Sequence, residues 1–97
     1  MENNMLNRYL FDDLKLKELR EKQGIKSYTL YCYLMELIHA EKNNKLFIDE
    51  NMKNVILADT GLEEVIFYGM LNLMLKLNIF DSKCYYEEKF LVSTYKN

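Results

Sequence analysis

The sequence predicts one mainly α domain closed by a small β wing. Three observations lead there: apolar residues recur at three- and four-residue steps over most of the chain, no proline interrupts them, and strand formers are confined to short runs. Ninety-seven residues provide one domain and one modest core without needing disulfides or metals. With 49% hydrophobic and 13% aromatic residues, the composition is that of a folded chain and excludes a disordered one.

The elements follow in order. Residues 1–11 are a polar lead ending in Tyr9, Leu10 and Phe11, which are expected to tuck against the first helix. Asp12 or Asp13 can cap that helix, predicted over 13–22, with Leu14, Leu16 and Leu19 as its apolar side and Gly24 as the left-handed stop. Ser27 is the expected cap of a second helix reaching Ala40, whose core face is Tyr28, Tyr31, Leu34, Met35 and Ile38. Leu46-Phe47-Ile48 is too short for a helix and reads as a strand. Asp49 then caps a helix through Ala58, with Met52, Val55 and Ile56 on its apolar side. Thr60-Gly61-Leu62-Glu63 has the form of a capping box, predicting a last long helix to Leu77 with Asn78 as its left-handed end. Ile79-Phe80 and Cys84-Tyr85-Tyr86-Glu87 are expected to pair as a hairpin around Asp81-Ser82-Lys83, and Lys89 to Lys96 to close as a short helix. Three packed helices with a wing describe a winged helix; the helix at 13–22 is extra. The domain core is placed at 12–90 and a tail at 91–97.

Charge limits the partners. Thirteen basic against fifteen acidic residues give a net −2, opposite to the balance of a dedicated nucleic-acid binder. Lys15, Lys17, Arg20 and Lys22 make the first helix the most basic segment, but Glu18 and Glu21 alternate with them, so a solvated mixed face is the primary reading and weak phosphate contact the secondary one. Lys83 and Lys89, beside Tyr85 and Tyr86, are the wing's candidates for the same weak contact. Met1-Glu2-Asn3-Asn4 has no basic n-region with an apolar run behind it, and the uncharged stretch Val65 to Leu75 is too short to span a bilayer. A soluble cytoplasmic protein is therefore expected. Cys32 and Cys84 form no CxxC and are read as packed thiols.

Catalytic patterns are missing. His39 is the single histidine, and no G-x-S-x-G surrounds Ser27, Ser82 or Ser93. Asp12/Asp13, Glu63/Glu64 and Glu87/Glu88 are sequence neighbours, which point in different directions on a helix and suit capping and solubility. Gly24, Gly61 and Gly69 are isolated, so no phosphate-cradling loop exists. No enzyme activity, cofactor, metal or small-molecule substrate is expected.

The last long helix carries the functional expectation. At 100° per residue, Leu62, Ile66, Met70, Leu73 and Leu77 share an arc that is expected to pack inward. Phe67, Tyr68, Leu71 and Leu75 widen the apolar surface beyond one core contact. Either another segment of the chain covers these four, or they form a surface for self-association or a protein partner. Glu63 and Glu64 stand at the tip that would approach a DNA groove, so duplex reading by this helix is disfavoured.

The string Asp13-Leu14-Lys15-Leu16-Lys17-Glu18-Leu19-Arg20-Glu21-Lys22-Gln23-Gly24, followed by Tyr28, Tyr31, Leu34 and Glu36, resembles the N-terminal domain of phage replisome organisers and their DnaD-like relatives. Thr60-Gly61-Leu62-Glu63-Glu64, Leu75-Lys76-Leu77-Asn78-Ile79-Phe80-Asp81 and Tyr85-Tyr86-x-Glu88 are similar to that family's last core helix and wing. The resemblance implies a winged-helix module that associates with itself or with replication proteins. Ser27, Thr29 and Asn78 stand where the family often has glycine, which suits a divergent member. The function expected is non-catalytic assembly with weak DNA contact. The alternative is a small inhibitor or regulator that docks on a host enzyme or nucleoprotein.

Overall fold

A computed structural model describes residues 13–95. Its elements are α1 (Leu14–Gln23), α2 (Ile25–Ala40), β1 (Leu46–Phe47), α3 (Glu50–Thr60), α4 (Glu64–Lys76), α5 (Ser82–Glu88) and β2 (Phe90–Leu91). The fold is mainly α with a small β wing, a winged helix with α1 added in front. The polar lead and Asp12 lie outside the described residues.

Helix α1 starts where Asp13 accepts from the N–H groups of Lys15 at 2.9 Å and Leu16 at 3.3 Å, which satisfies two of the donors a helix start leaves open. Leu16 and Leu19 are its buried residues. Gly24, at φ 81° and ψ −178°, ends α1 and begins α2 in one step, a conformation that a side chain would strain. Helix α2 therefore starts before Ser27, and the expected cap lies inside it. The Ser27 side chain is wholly buried, its hydroxyl 2.8 Å from the Gly24 carbonyl and 3.3 Å from that of Leu19, so it fastens the corner from within. Leu30, Tyr31, Leu34 and Ile38 form the core face of α2; Tyr28 and Met35 are at its partly buried edges.

Asp49 caps α3 by accepting from Met52 N–H at 2.8 Å, as its position predicts. The capping box does not form. Thr60 belongs to the end of α3, where its hydroxyl donates to the Ile56 carbonyl at 2.8 Å and accepts from Leu62 N–H at 3.3 Å. Gly61 takes the left-handed conformation at φ 73°, and α4 begins after Glu63, whose side chain makes no capping bond. Asn78 ends α4 with φ 60°, as expected of its short polar side chain.

The wing is built differently from the expected hairpin. Cys84-Tyr85-Tyr86-Glu87 lies in helix α5, capped by Asp81, which accepts from Cys84 N–H at 3.0 Å. The strand-forming residue types there yield to the cap and to Tyr85 packing into the core. Lys89, left-handed at φ 63°, turns the chain into β2, where a closing helix was expected. Strand β2 runs antiparallel to β1 with Leu46 opposite Leu91 and Phe47 opposite Phe90. On its other side, Phe80 bridges to Ser93, and Asp81 N–H donates to the Val92 carbonyl at 2.9 Å. The returning strand thus lies between β1 and Ile79-Phe80. Residues 91–95 are part of the fold and no tail: Leu91 is fully buried, and the Tyr95 hydroxyl donates to Asp13 at 2.6 Å, joining the chain's last described residue to the cap of α1.

Candidate functional site

Helix α4 sits where it could meet a partner, and its phase decides which residues would do so. Lys15, early in α1, donates from Nζ to the Asn78 carbonyl at 3.1 Å, while Gln23, at the end of α1, donates to the Gly69 carbonyl at 3.2 Å. The two helices therefore run antiparallel. Beneath α1, helix α4 buries Phe67, Met70, Leu71, Met74 and Leu75.

This placement corrects the expected interface. Phe67 and Leu71 have no exposure, Leu75 is nearly closed off, and Tyr68 is half-buried with its ring centroid 5.2 Å from that of Phe67. The chain itself covers the patch, because α1 packs over the part of α4 that three core helices alone would leave open. Of the arc expected to face inward, only Met70 is buried; Ile66 is exposed and Leu62, Leu73 and Leu77 are partly so. The true core face is turned by about a third of a turn from the predicted one. A helix apolar around most of its circumference does not define its own phase.

The outward side of α4 consists of Val65, 80% exposed, and Ile66, 44% exposed, with Gly69, Asn72 and Lys76 further along. Glu63 and Glu64 stand at its leading end. Glu64 is also bound from behind: Lys53 of α3, only 5% exposed, places Nζ 3.2 Å from Glu64 and 2.7 Å from Glu50. Its carboxylate partners push the Lys53 ammonium pKa above its ordinary value, the Glu50 hydrogen bond first, against a smaller opposing effect of burial. The leading tip thus offers carboxylates where a duplex would require cations. Sequence reasoning missed Lys53; the Glu50-x-x-Lys53 spacing was its one visible sign.

The six candidate basic residues do not form one stripe. Lys15 is bound to the Asn78 carbonyl, with Nζ 5.4 Å from the Tyr95 ring centroid. Arg20 lies 5.1 Å from the Tyr28 ring centroid, Lys22 pairs with Glu18 at 3.7 Å, and Lys17 is exposed. Lys83 and Lys89 belong to α5 and its end, where Lys89 Nζ lies 5.1 Å from the Tyr85 ring centroid. The wing shows a feature that sequence reading missed: Phe47 and Phe90 stack across the ladder with ring centroids 5.3 Å apart, and Lys45 Nζ lies 5.4 Å over Phe90.

Two open clefts flank the core. One, of about 450 Å³, lies between α2 and the α3–α4 corner, where the Tyr33 hydroxyl donates to Asp59 at 2.6 Å. The other, of about 380 Å³, is lined by Phe47, Ile48, Asp49, Glu50, Tyr68, Tyr85 and Lys89. Cys32 and Cys84 are free thiols, half-buried, and desolvation pushes both upward in pKa. Among the described residues no group of three or more His, Cys, Asp or Glu side chains could hold a metal, and no helix is long and apolar enough to cross a membrane.

No curated protein and no solved structure matches the chain. Residues 5–95 match the family described as Lin1244/Lin1753-like, N-terminal. With nearly the whole chain matched, from the polar lead to the returning wing strand, the protein belongs to the Lin1244/Lin1753-like family through that N-terminal domain.

Proposed function

We propose that this domain is a non-catalytic assembly module, similar in role to the N-terminal domains of phage replisome organisers, that associates with a second copy or a replication protein through the outward side of α4. One observation carries the reading: the helix that a DNA-reading winged helix would lay in the groove presents Val65 and Ile66 to solvent behind an acidic tip. Adjacent exposed aliphatic residues on a rigid helix suit a protein contact, and Glu63 with Glu64 opposes a phosphate backbone. The first arrangement of the interface, on Phe67, Tyr68, Leu71 and Leu75, is replaced by Val65 and Ile66. Lys17 of α1 retains, at most, a weak electrostatic role toward DNA.

Light scattering of the full chain across micromolar concentrations tests the proposal. The expected result is a mass above the monomer that Val65→Glu together with Ile66→Glu returns to the monomer without loss of helical signal. A chain that stays monomeric overturns association with a second copy, and one that binds duplex DNA and loses it on Asn72→Glu overturns the reading as a whole.

A further inference from the structure

The wing carries a second surface, independent of α4's outward side. Lys45, which precedes β1, lies with Phe47 on one face of the ladder, its Nζ over the Phe90 ring, and Phe90 stands directly opposite Phe47. Leu46 and Leu91 take the inward face and are buried, so the outward face of the ladder consists of Lys45, Phe47 and Phe90. Phe47 remains 48% exposed despite its contact with Phe90. It also lines the 380 Å³ cleft, together with Lys89 and the buried Tyr85. Tyr86, 60% exposed, adjoins Tyr85 with ring centroids 5.4 Å apart.

We infer that the outward face of the ladder, with the cleft beside it, binds a short stretch of single-stranded nucleic acid, with a base stacked on Phe47 and the adjoining phosphates on Lys45 of the ladder and Lys89 of the cleft. Flat aromatic faces beside flexible cations are the combination that holds unpaired bases without sequence preference, since every base has a face to stack and every linkage a charge to neutralise. A duplex cannot use the site, because its bases are already stacked. The two carboxylates that line the cleft, with the Glu50 side chain 78% exposed, repel phosphates from that wall and add to the weakness of the binding, although each also has a contact within the protein. Asp49 accepts from Met52 N–H at 2.8 Å, and Glu50 pairs with Lys53 at 2.7 Å. Glu87 and Glu88, exposed near the end of α5, restrict the phosphates to the Lys45 and Lys89 sides and keep the binding weak and salt-sensitive. The wing lysine Lys89 thereby keeps its expected part in backbone contact, with Lys45, Phe47 and Phe90 added by the tertiary structure.

Fluorescence anisotropy with labelled oligothymidylate and oligouridylate of about 20 nucleotides tests the inference on the full chain and separates DNA from RNA as the source. Binding is expected with at least one of them at about 20 mM salt, weakening about tenfold or more at about 200 mM. Phe47→Leu, which keeps apolar bulk but removes the ring, should weaken binding about tenfold, and Lys45→Gln, at an exposed position, should weaken it and flatten the salt dependence. No anisotropy change with either strand at low salt overturns the inference. So does unchanged affinity in both variants, or equal competition by a duplex of the same length. Monomeric behaviour in light scattering has no bearing on this outcome, so the failure of either proposal is distinguishable from that of the other.

Discussion

Lys53 and Glu64 join consecutive helices, with the ammonium of the first held 3.2 Å from the carboxylate that opens the second. Between them lie the Gly61 turn and the Glu63 start of α4, so this contact fixes where α4 begins as well as how it is aimed. A lysine this enclosed stays charged because Glu50 and Glu64 both accept from it. Lys53→Glu should place three carboxylates together and lower the melting temperature far more than Lys53→Met, which fills the space without a charge. Thermal unfolding by circular dichroism compares the two, and equal melting temperatures would contradict this role.

Alkali should unfold the domain through its phenols. Burial first, and neighbouring groups after it, push Tyr31 and Tyr33 up to about 12; for Tyr33 the hydrogen bond to Asp59 adds to burial. Both folded values lie above the ordinary value near 10, so the neutral phenol is the form that the fold favours. Their contribution is fully present below about pH 10 and is lost as the pH rises through about 12. Lys53, also raised, acts in the same direction. Absorbance at the phenolate band should show late-titrating tyrosines whose ionisation coincides with loss of helical signal, and Tyr33→Phe should remove one of them.

The phase of α4 can be read from stability alone. Phe67→Ala should cost about 3–5 kcal/mol, because a fully buried ring leaves a cavity that its neighbours fill incompletely. Val65→Ser, at a position 80% exposed, should stay within about 0.5 kcal/mol. Urea denaturation of the two variants distinguishes the observed phase from the predicted one, and comparable losses would indicate that α1 does not cover α4.

Gly24 and Gly61 both have positive φ, yet they should respond differently to alanine. Nothing lies within 4 Å of a Cβ added at either, so any cost is conformational. Gly61, at φ 73° and ψ 10°, is in the left-handed helical region, where alanine costs about 1 kcal/mol. Gly24, at ψ −178°, is in a region essentially reserved for glycine, and Gly24→Ala should cost about 1–3 kcal/mol. Chemical denaturation orders the pair, and a Gly61→Ala loss exceeding that at Gly24 would refute the argument.

The end of the wing should behave as core. Leu91→Ala is expected to cost about 2–5 kcal/mol by the cavity argument, whereas a dispensable tail would show no change in the denaturation midpoint.

Local chemistry made much of this fold legible. Asp13, Asp49, Gly24 and Asn78 each state a backbone requirement through their own side chain or its absence, and the caps and turns they predict occur where predicted, apart from the α2 start displaced by Gly24; the capping box read at Thr60–Glu63 is instead the left-handed end of α3 at Gly61. The absence of G-x-G and G-x-S-x-G motifs was equally plain, since such motifs are contiguous in sequence. Two things required the folded chain. The direction of α4 depends on α1 lying along it, because Phe67, Tyr68, Leu71 and Leu75 are as apolar as Leu62, Ile66 and Leu73, and hydrophobicity cannot rank one face above another when both qualify. The wing depends on residues 46–47 and 90–91 meeting across 42 intervening positions: Tyr85 and Tyr86 have strand-forming side chains, but the Asp81 cap and core packing make them helical, and the partner of β1 is supplied by the next segment instead. Sequence determines what a residue can do locally; which of several equally apolar surfaces is covered depends on the geometry of segments far apart in the chain, and that decides which residues remain free to meet a partner.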